Sequence, residues 1–150
     1  MPKIGEKAPD FTATTDTGAE ISLSSLRGKK VVLYFYPRDN TPGCTTEACD
    51  FRDRAEALAA KDAVVLGVST DTVASHEKFK AKYSLPFTLL ADPDKELVSA
   101  YGVYQEKKQY GRSFMGTVRT TFVIDPGGTI TSVFEKVKVK DHADAVLASL

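Results

Sequence analysis

The sequence predicts an α/β fold with a central mixed β-sheet flanked by helices, and three observations predict it. Val31–Tyr36 is an unbroken run of β-branched, apolar and aromatic residues ended by Pro37. It is too short for a free-standing helix and reads as a buried strand. A second apolar run, Ala63–Ser69, follows a segment of helical periodicity, so strand, helix and strand make a parallel unit with an ordinary crossover. Two pairs of short segments close around Asp16-Thr17-Gly18 and Asp125-Pro126-Gly127-Gly128 and add antiparallel hairpins.

Taken in order, Phe11–Thr14 and Glu20–Leu23 form an N-terminal β-hairpin, and Ser24–Gly28 a short helical turn stopped by glycine. The central strand opens after Lys29-Lys30, and Pro37-Arg38-Asp39-Asn40 is a loop by composition. Thr41-Pro42 has the form of a helix start, with Thr at the N-cap and Pro at the first helical position. Cys44, Ala48, Phe51, Ala55 and Leu58 then lie on one apolar stripe, predicting one helix as far as Lys61-Asp62. After the second strand, Thr70-Asp71-Thr72 precedes a helix over Val73–Tyr83. Pro86–Leu90 is a short extended piece, and Asp92-Pro93-Asp94 turns and caps a short helix, Glu96–Tyr101. Gly102–Gly116 has no clear period; its Tyr104, Tyr110, Phe114 and Met115 are either cover for the core or an apolar collar over a thiol. Arg119–Ile124 and Thr129–Phe134 are the strands of the last hairpin. Asp141 caps a final amphipathic helix with Ala145, Val146 and Leu150 turned inward.

Composition sets the outer bounds. At 150 residues, positions 1–150 are expected to form one domain, able to bury about 70% of its unfolded surface. Twenty basic and twenty acidic side chains cancel, so nothing favours nucleic acid or an anionic membrane. No apolar run approaches membrane length. Met1–Gly5 lacks the apolar core of a secretory leader, which makes the cytoplasm the default, although a mature chain from a plastid or secreted precursor would look the same.

The chemistry centres on Cys44, the third residue of its helix on this register. Unpaired N–H groups and the positive dipole end hold a thiol there toward its thiolate. Thr41 offers a hydroxyl one turn back, and Gly43 allows close approach to the backbone. The other cysteine, Cys49, lies at i+5, where helix geometry separates the Cα atoms by roughly 8.6 Å. That exceeds the ~7 Å limit for a disulfide, so the pair bridges only if the helix start unravels. The spacing is not the C-x-x-C of a zinc site or a dithiol exchanger. His76 and His142 stand singly in polar helical contexts, are not spaced as metal ligands, and read as solvated. No phosphate, flavin or nicotinamide fingerprint is present.

The segment Phe35-Tyr36-Pro37-Arg38-Asp39-Asn40-Thr41-Pro42-Gly43-Cys44-Thr45-Thr46-Glu47-Ala48-Cys49 closely resembles the active-site segment of the peroxiredoxins, in particular the Q-type branch, the bacterioferritin comigratory proteins. Pro37, Thr41 and Cys44 meet the family pattern, and the likeness extends from Gly5–Phe11 to Arg119–Phe122. It implies a thioredoxin-like fold in which Thr41-Pro42-Gly43-Cys44 takes the place of C-x-x-C. It also implies a peroxidatic Cys44 that attacks hydrogen peroxide or an alkyl hydroperoxide and becomes a sulfenic acid. Thr41, the Cys44 amide and Arg119 would stabilise the developing charge, with Glu47 orienting Arg119 through a bidentate pair. Cys49 would resolve the sulfenic acid to an intramolecular disulfide, reduced by thioredoxin or glutaredoxin, in a monomer needing no cofactor or metal. Tyr104 departs from the tryptophan of many Q-type members. Two other classes share the cysteine: a general thiol–disulfide oxidoreductase, which the missing C-x-x-C disfavours, and a non-enzymatic redox sensor or holdase.

Overall fold

A computed structural model describes residues 1–150. The first half runs β1 (Thr12–Thr15), β2 (Glu20–Ser22), a 3₁₀ turn (Leu23–Leu26), β3 (Lys30–Phe35), α1 (Pro42–Asp53), α2 (Ala55–Ala60) and β4 (Ala63–Ser69). The second half runs α3 (Val73–Tyr83), β5 (Thr88–Ala91), α4 (Glu96–Ala100), β6 (Tyr104–Gln109), β7 (Arg112–Thr117), β8 (Thr120–Ile124), β9 (Ile130–Phe134) and α5 (His142–Ala148). Seven strands form one mixed sheet in the order β2-β1-β5-β4-β3-β8-β9, and β6-β7 make a separate ribbon. β3, β4 and β5 are parallel neighbours, while β8 lies antiparallel to β3. The N-terminal hairpin joins the sheet through β5. No helix is long and apolar enough to cross a membrane.

The period-2 alternation of the strands divides the core between the two sheet faces. Val31, Leu33, Phe35, Leu66, Val68, Phe122 and Ile124 pack on one face with Leu97 and Val98 of α4. Val32, Tyr34, Tyr36, Val65, Leu89 and Val123 face the other way, against Cys44, Ala48 and Phe51 of α1, Phe79 of α3 and Val146 of α5. Phe51 is wholly buried and packs against Tyr34, the ring centroids 4.8 Å apart and the planes tilted by 32°. Burial of a side chain of that size contributes about 1.5–3 kcal/mol to holding α1 on the sheet. Cys44 therefore sits where a helix start is pressed against the central strands.

Several elements differ from expectation. The single helix predicted to reach Lys61 is interrupted at Arg54, whose guanidinium donates to the Asp50 carbonyl at 3.0 Å. The Arg54 amide bonds instead to Phe51 O. Gly102–Gly116 is not irregular: β6 and β7 pair in register across Tyr110-Gly111, both at positive φ, the geometry of a tight hairpin turn. Polar side chains on both of its faces hide the period. Tyr110, Phe114 and Met115 are exposed and none belongs to the Cys44 cluster, so they form no collar. Tyr104 instead packs against the core of the opposite sheet face. On α5, Val146 is buried but Ala145 is exposed, and Ala143 takes the inward place. Asp141 occupies the N-cap without a capping hydrogen bond.

Candidate active site

β3 ends in Pro37, and the loop Arg38-Asp39-Asn40-Thr41 turns the chain into α1. Pro42 opens the helix at a position where the N–H it lacks would have no intrahelical partner, and Cys44 stands in the first turn, 1% exposed. The partner charge comes from the neighbouring strand. The register Phe35↔Thr120 sets the start of β8 beside the end of β3, so Arg119 arrives at the same edge as the loop. Its backbone is held there by a bond from Val137 N to Arg119 O. Arg119 Nη2 donates to Cys44 Sγ at 3.3 Å and Nη1 to Glu47 Oε1 at 2.6 Å. One planar cation thus bridges the sulfur and a carboxylate one turn further along α1. A Cβ on Gly43 would stand 3.2 Å from Arg119 Nη2. The group whose close approach this glycine permits is the guanidinium.

Thr41 holds the N-cap position but does not cap. Its hydroxyl donates to Arg38 O at 3.0 Å, and a carbonyl can only accept. The group expected to donate to a substrate therefore presents its oxygen lone pairs instead. Pro37 is half-buried at the strand end, and Cys49, half-buried, lies on the same unbroken helix as Cys44, both as free thiols.

Glu47 is buried, and its pair with Arg119 is single rather than bidentate: Oε2 accepts no hydrogen bond and lies 3.9 Å from His142 Nε2. Burial pushes the Glu47 carboxyl up from 4.5 to about 7, with Arg119 opposing. Burial, and next the Arg119 charge, push His142 down from 6.5 to about 4. The two act on stability with opposite signs. Folding retains the Glu47 proton between pH 4.5 and about 7, so that contribution falls as pH rises through the window. Folding excludes the His142 proton between about pH 4 and 6.5, so that contribution rises with pH. Glu47→Gln removes only the first. Its urea midpoint is expected to climb more steeply between pH 4.5 and 6.5 than that of the wild type. Equal slopes in the two proteins would mean that Glu47 stays ionised throughout.

Neither histidine is solvated, contrary to expectation. His142 Nε2 bonds Thr121 Oγ1 at 2.8 Å, and the ring packs edge-on against Phe51 and Phe134. His76 is wholly buried between Asp39 and the Leu90 carbonyl. The pattern did contain a sign of this, since His76 lies midway between Val73 and Phe79 on the inward stripe of α3. Asp39, Asp71 and His76 bring ligand-type atoms within 4.8 Å of one another, but hydroxyls and an amide already bond both carboxylates.

The chain is similar to known proteins along most of its length. The AhpC/TSA family model matches residues 4–133. Peroxiredoxin Bcp of Bacillus subtilis is 51% identical over 148 residues, covering 99% of this chain and 94% of its own. The PrxQ of Xylella fastidiosa, solved as a cysteine-to-serine mutant, aligns with a TM-score of 0.93 at 37% identity, covering 97% of this chain and 93% of that one. The bacterioferritin comigratory protein of Xanthomonas campestris was solved as trapped intermediate and ligand complexes bearing on its alkyl peroxide reduction. It aligns with a TM-score of 0.89 at 41% identity, covering 93% of this chain and 88% of that one.

Proposed function

The chain belongs to the AhpC/TSA family and is a peroxiredoxin, a thiol peroxidase, and on that premise we propose that Cys44 is its peroxidatic nucleophile, working in a monomeric, single-domain, cytoplasmic enzyme. The observation that carries this assignment is the 3.3 Å contact from Arg119 Nη2 to Cys44 Sγ at a helix N-terminus. Hydrogen peroxide or an alkyl hydroperoxide enters with its terminal oxygen toward the sulfur; the 1% exposure of Cys44 suits a substrate that presents a small end. The thiolate attacks that oxygen, the O–O bond breaks, and the sulfur becomes a sulfenic acid while the distal oxygen leaves as water or alcohol after taking a proton. Arg119 and the first-turn amides meet the negative charge on the separating oxygens. Thr41 Oγ1, its own proton on Arg38 O, accepts from the peroxide O–H.

Cys49 then attacks the sulfenic sulfur, water leaves, and a Cys44–Cys49 disulfide forms. Thioredoxin is the proposed reductant, with glutaredoxin the second choice. Peroxide consumption coupled to thioredoxin, its reductase and a nicotinamide cofactor tests the assignment. Turnover should require peroxide. Reduction of insulin disulfides without peroxide would instead favour a general exchanger.

Resolution demands that α1 open, since i, i+5 spacing on a helix is roughly 1.6 Å too long for the bond. The structure offers a stopping point. Arg52 Nη1 bonds Tyr83 O at 2.8 Å, and Arg54 pairs with Asp144, so the end of α1 is tied to α3 and α5. A frayed helix start opens at far below the global unfolding energy. One equivalent of peroxide is expected to yield the intramolecular disulfide and sharply faster amide exchange from Thr45 to Phe51, with β3, β4 and β8 unchanged. In Cys49→Ser the sulfenic acid should persist and pass to sulfinic acid under excess peroxide sooner than in the wild type. A disulfide found only between chains, or a Thr45–Phe51 segment still fully protected after oxidation, would rule out this route.

A further inference from the structure

The loop that presents Thr41 and Cys44 is held from behind by α3, and the hold depends on a buried ring. His76 Nε2 lies 2.8 Å from Leu90 O, a backbone carbonyl that can only accept, so Nε2 carries a proton. His76 Nδ1 lies 2.7 Å from Asp39 Oδ2. That carboxylate already accepts the Tyr36 hydroxyl on Oδ1, at 2.5 Å, and the Ser75 hydroxyl on Oδ2, at 2.8 Å. Both oxygens of that group act as acceptors in these bonds, so Nδ1 meets Oδ2 as a donor as well.

The charges around the ring agree. Asp39 faces it from the loop. Asp71, from the turn before α3, accepts both Asp39 N, at 2.8 Å, and Ser69 Oγ, at 2.6 Å. The Tyr36 ring, just past the end of β3, lies 6.4 Å away. Lys78 and Lys82 line the small cavity beside Asp39. Burial opposes a charged imidazole here, but the Asp39 and Asp71 charges and the Leu90 bond together raise its pKa above 6.5. The next loop residue, Asn40, is in the left-handed region at φ 60° and is itself gripped by Lys82 Nζ and Tyr83 Oη of α3. Thr41 follows directly.

We propose that His76 is a positioning residue for the peroxidase reaction: as a doubly protonated imidazolium it clamps Asp39, and through Asp39 it fixes the Pro37–Thr41 loop that carries Thr41 and leads into Cys44 at its contact with Arg119. The inference rests on the peroxidase reading. Loss of either ring proton leaves a lone pair facing an acceptor, the Leu90 carbonyl or the Asp39 carboxylate, and that repulsion loosens the hold on the loop. The reactive arrangement is thus present while His76 is charged and is lost as pH rises through its folded pKa.

Two measurements on the full chain test this. The first is ¹⁵N NMR of the imidazole, in which both His76 nitrogens should read as protonated through neutral pH. The second is single-turnover oxidation of Cys44 by hydrogen peroxide, followed by acid quench and thiol alkylation across pH. In the wild type the rate should fall on the alkaline side with the midpoint of the His76 titration. His76→Leu should lower it about 10–100-fold at neutral pH, as small misplacements of reacting groups do, while circular dichroism shows a folded chain. His76→Asn keeps an N–H donor toward Asp39 without a titrating ring. It should restore a rate near wild type and lose the alkaline fall. A neutral His76 at pH 6, or a His76→Leu protein with wild-type rate and pH profile, overturns the inference while leaving the peroxidase reading standing. A wild type that leaves peroxide untouched overturns both.

Discussion

Cys44→Ser is expected to reduce peroxide turnover to the uncatalysed background. The serine hydroxyl has almost no oxyanion fraction near neutral pH, and its side-chain partner, the Arg119 guanidinium, is a donor that cannot take its proton. The substitution should not disturb the fold. Cys44 is buried against Tyr34 and Ala48 on one sheet face, and oxygen in place of sulfur keeps a hydrogen bond to Arg119. The expected result is an unchanged melting temperature with no peroxide-dependent oxidation of the thioredoxin system. Turnover surviving in this variant would move the chemistry to Cys49 and end the reading given above.

Arg119→Ala should cost about 10²–10³-fold in the second-order rate with hydrogen peroxide, the range seen when a fixed donor to developing charge is removed. The variant also strips Glu47 of its only hydrogen-bond partner. A buried carboxyl already pushed up to about 7 then takes a proton instead of remaining as an unpaired charge, so the chain should stay folded near neutral pH. Arg119→Lys separates charge from geometry. A single ammonium cannot bond Sγ and Glu47 together as the fork does, so it should recover only a small part of the rate. Thr41→Val, which deletes the acceptor aimed at the peroxide O–H, should cost about 10²-fold. Rates near wild type in Arg119→Ala and Thr41→Val would show that the oxygens are stabilised by the helix start alone.

The residues that could be read in order are those whose roles are local. Thr41-Pro42 announced the helix start, Cys44 fell in its first turn, and α3 and β4 lie at the predicted boundaries. Arg119 is 75 residues from the sulfur it touches, and only the resemblance pointed to it. The β6-β7 ribbon escaped notice because neither of its faces is apolar, and Ala145 was misplaced because a seven-residue helix samples too few turns to define its stripe. The break at Arg54, where a side chain bonds the Asp50 carbonyl and the amide bonds Phe51 O, falls inside an unbroken apolar stripe that gives no sign of it.

By itself the sequence determined the α/β class, the strand-to-helix junction and the seat of Cys44, because each follows from patterns spanning a few turns or one strand: alternation, the apolar stripe, and Pro at the helix start. Only the tertiary structure decided what surrounds the thiol. Pairing β3 with β8 brought Arg119 to the sulfur, closing α5 over α1 buried His142 beside Glu47, and packing α3 behind the loop buried His76 against Asp39. Burial and long-range juxtaposition set the charge of those groups, since an imidazole or a carboxyl carries no fixed protonation state until its neighbours and its access to water are settled.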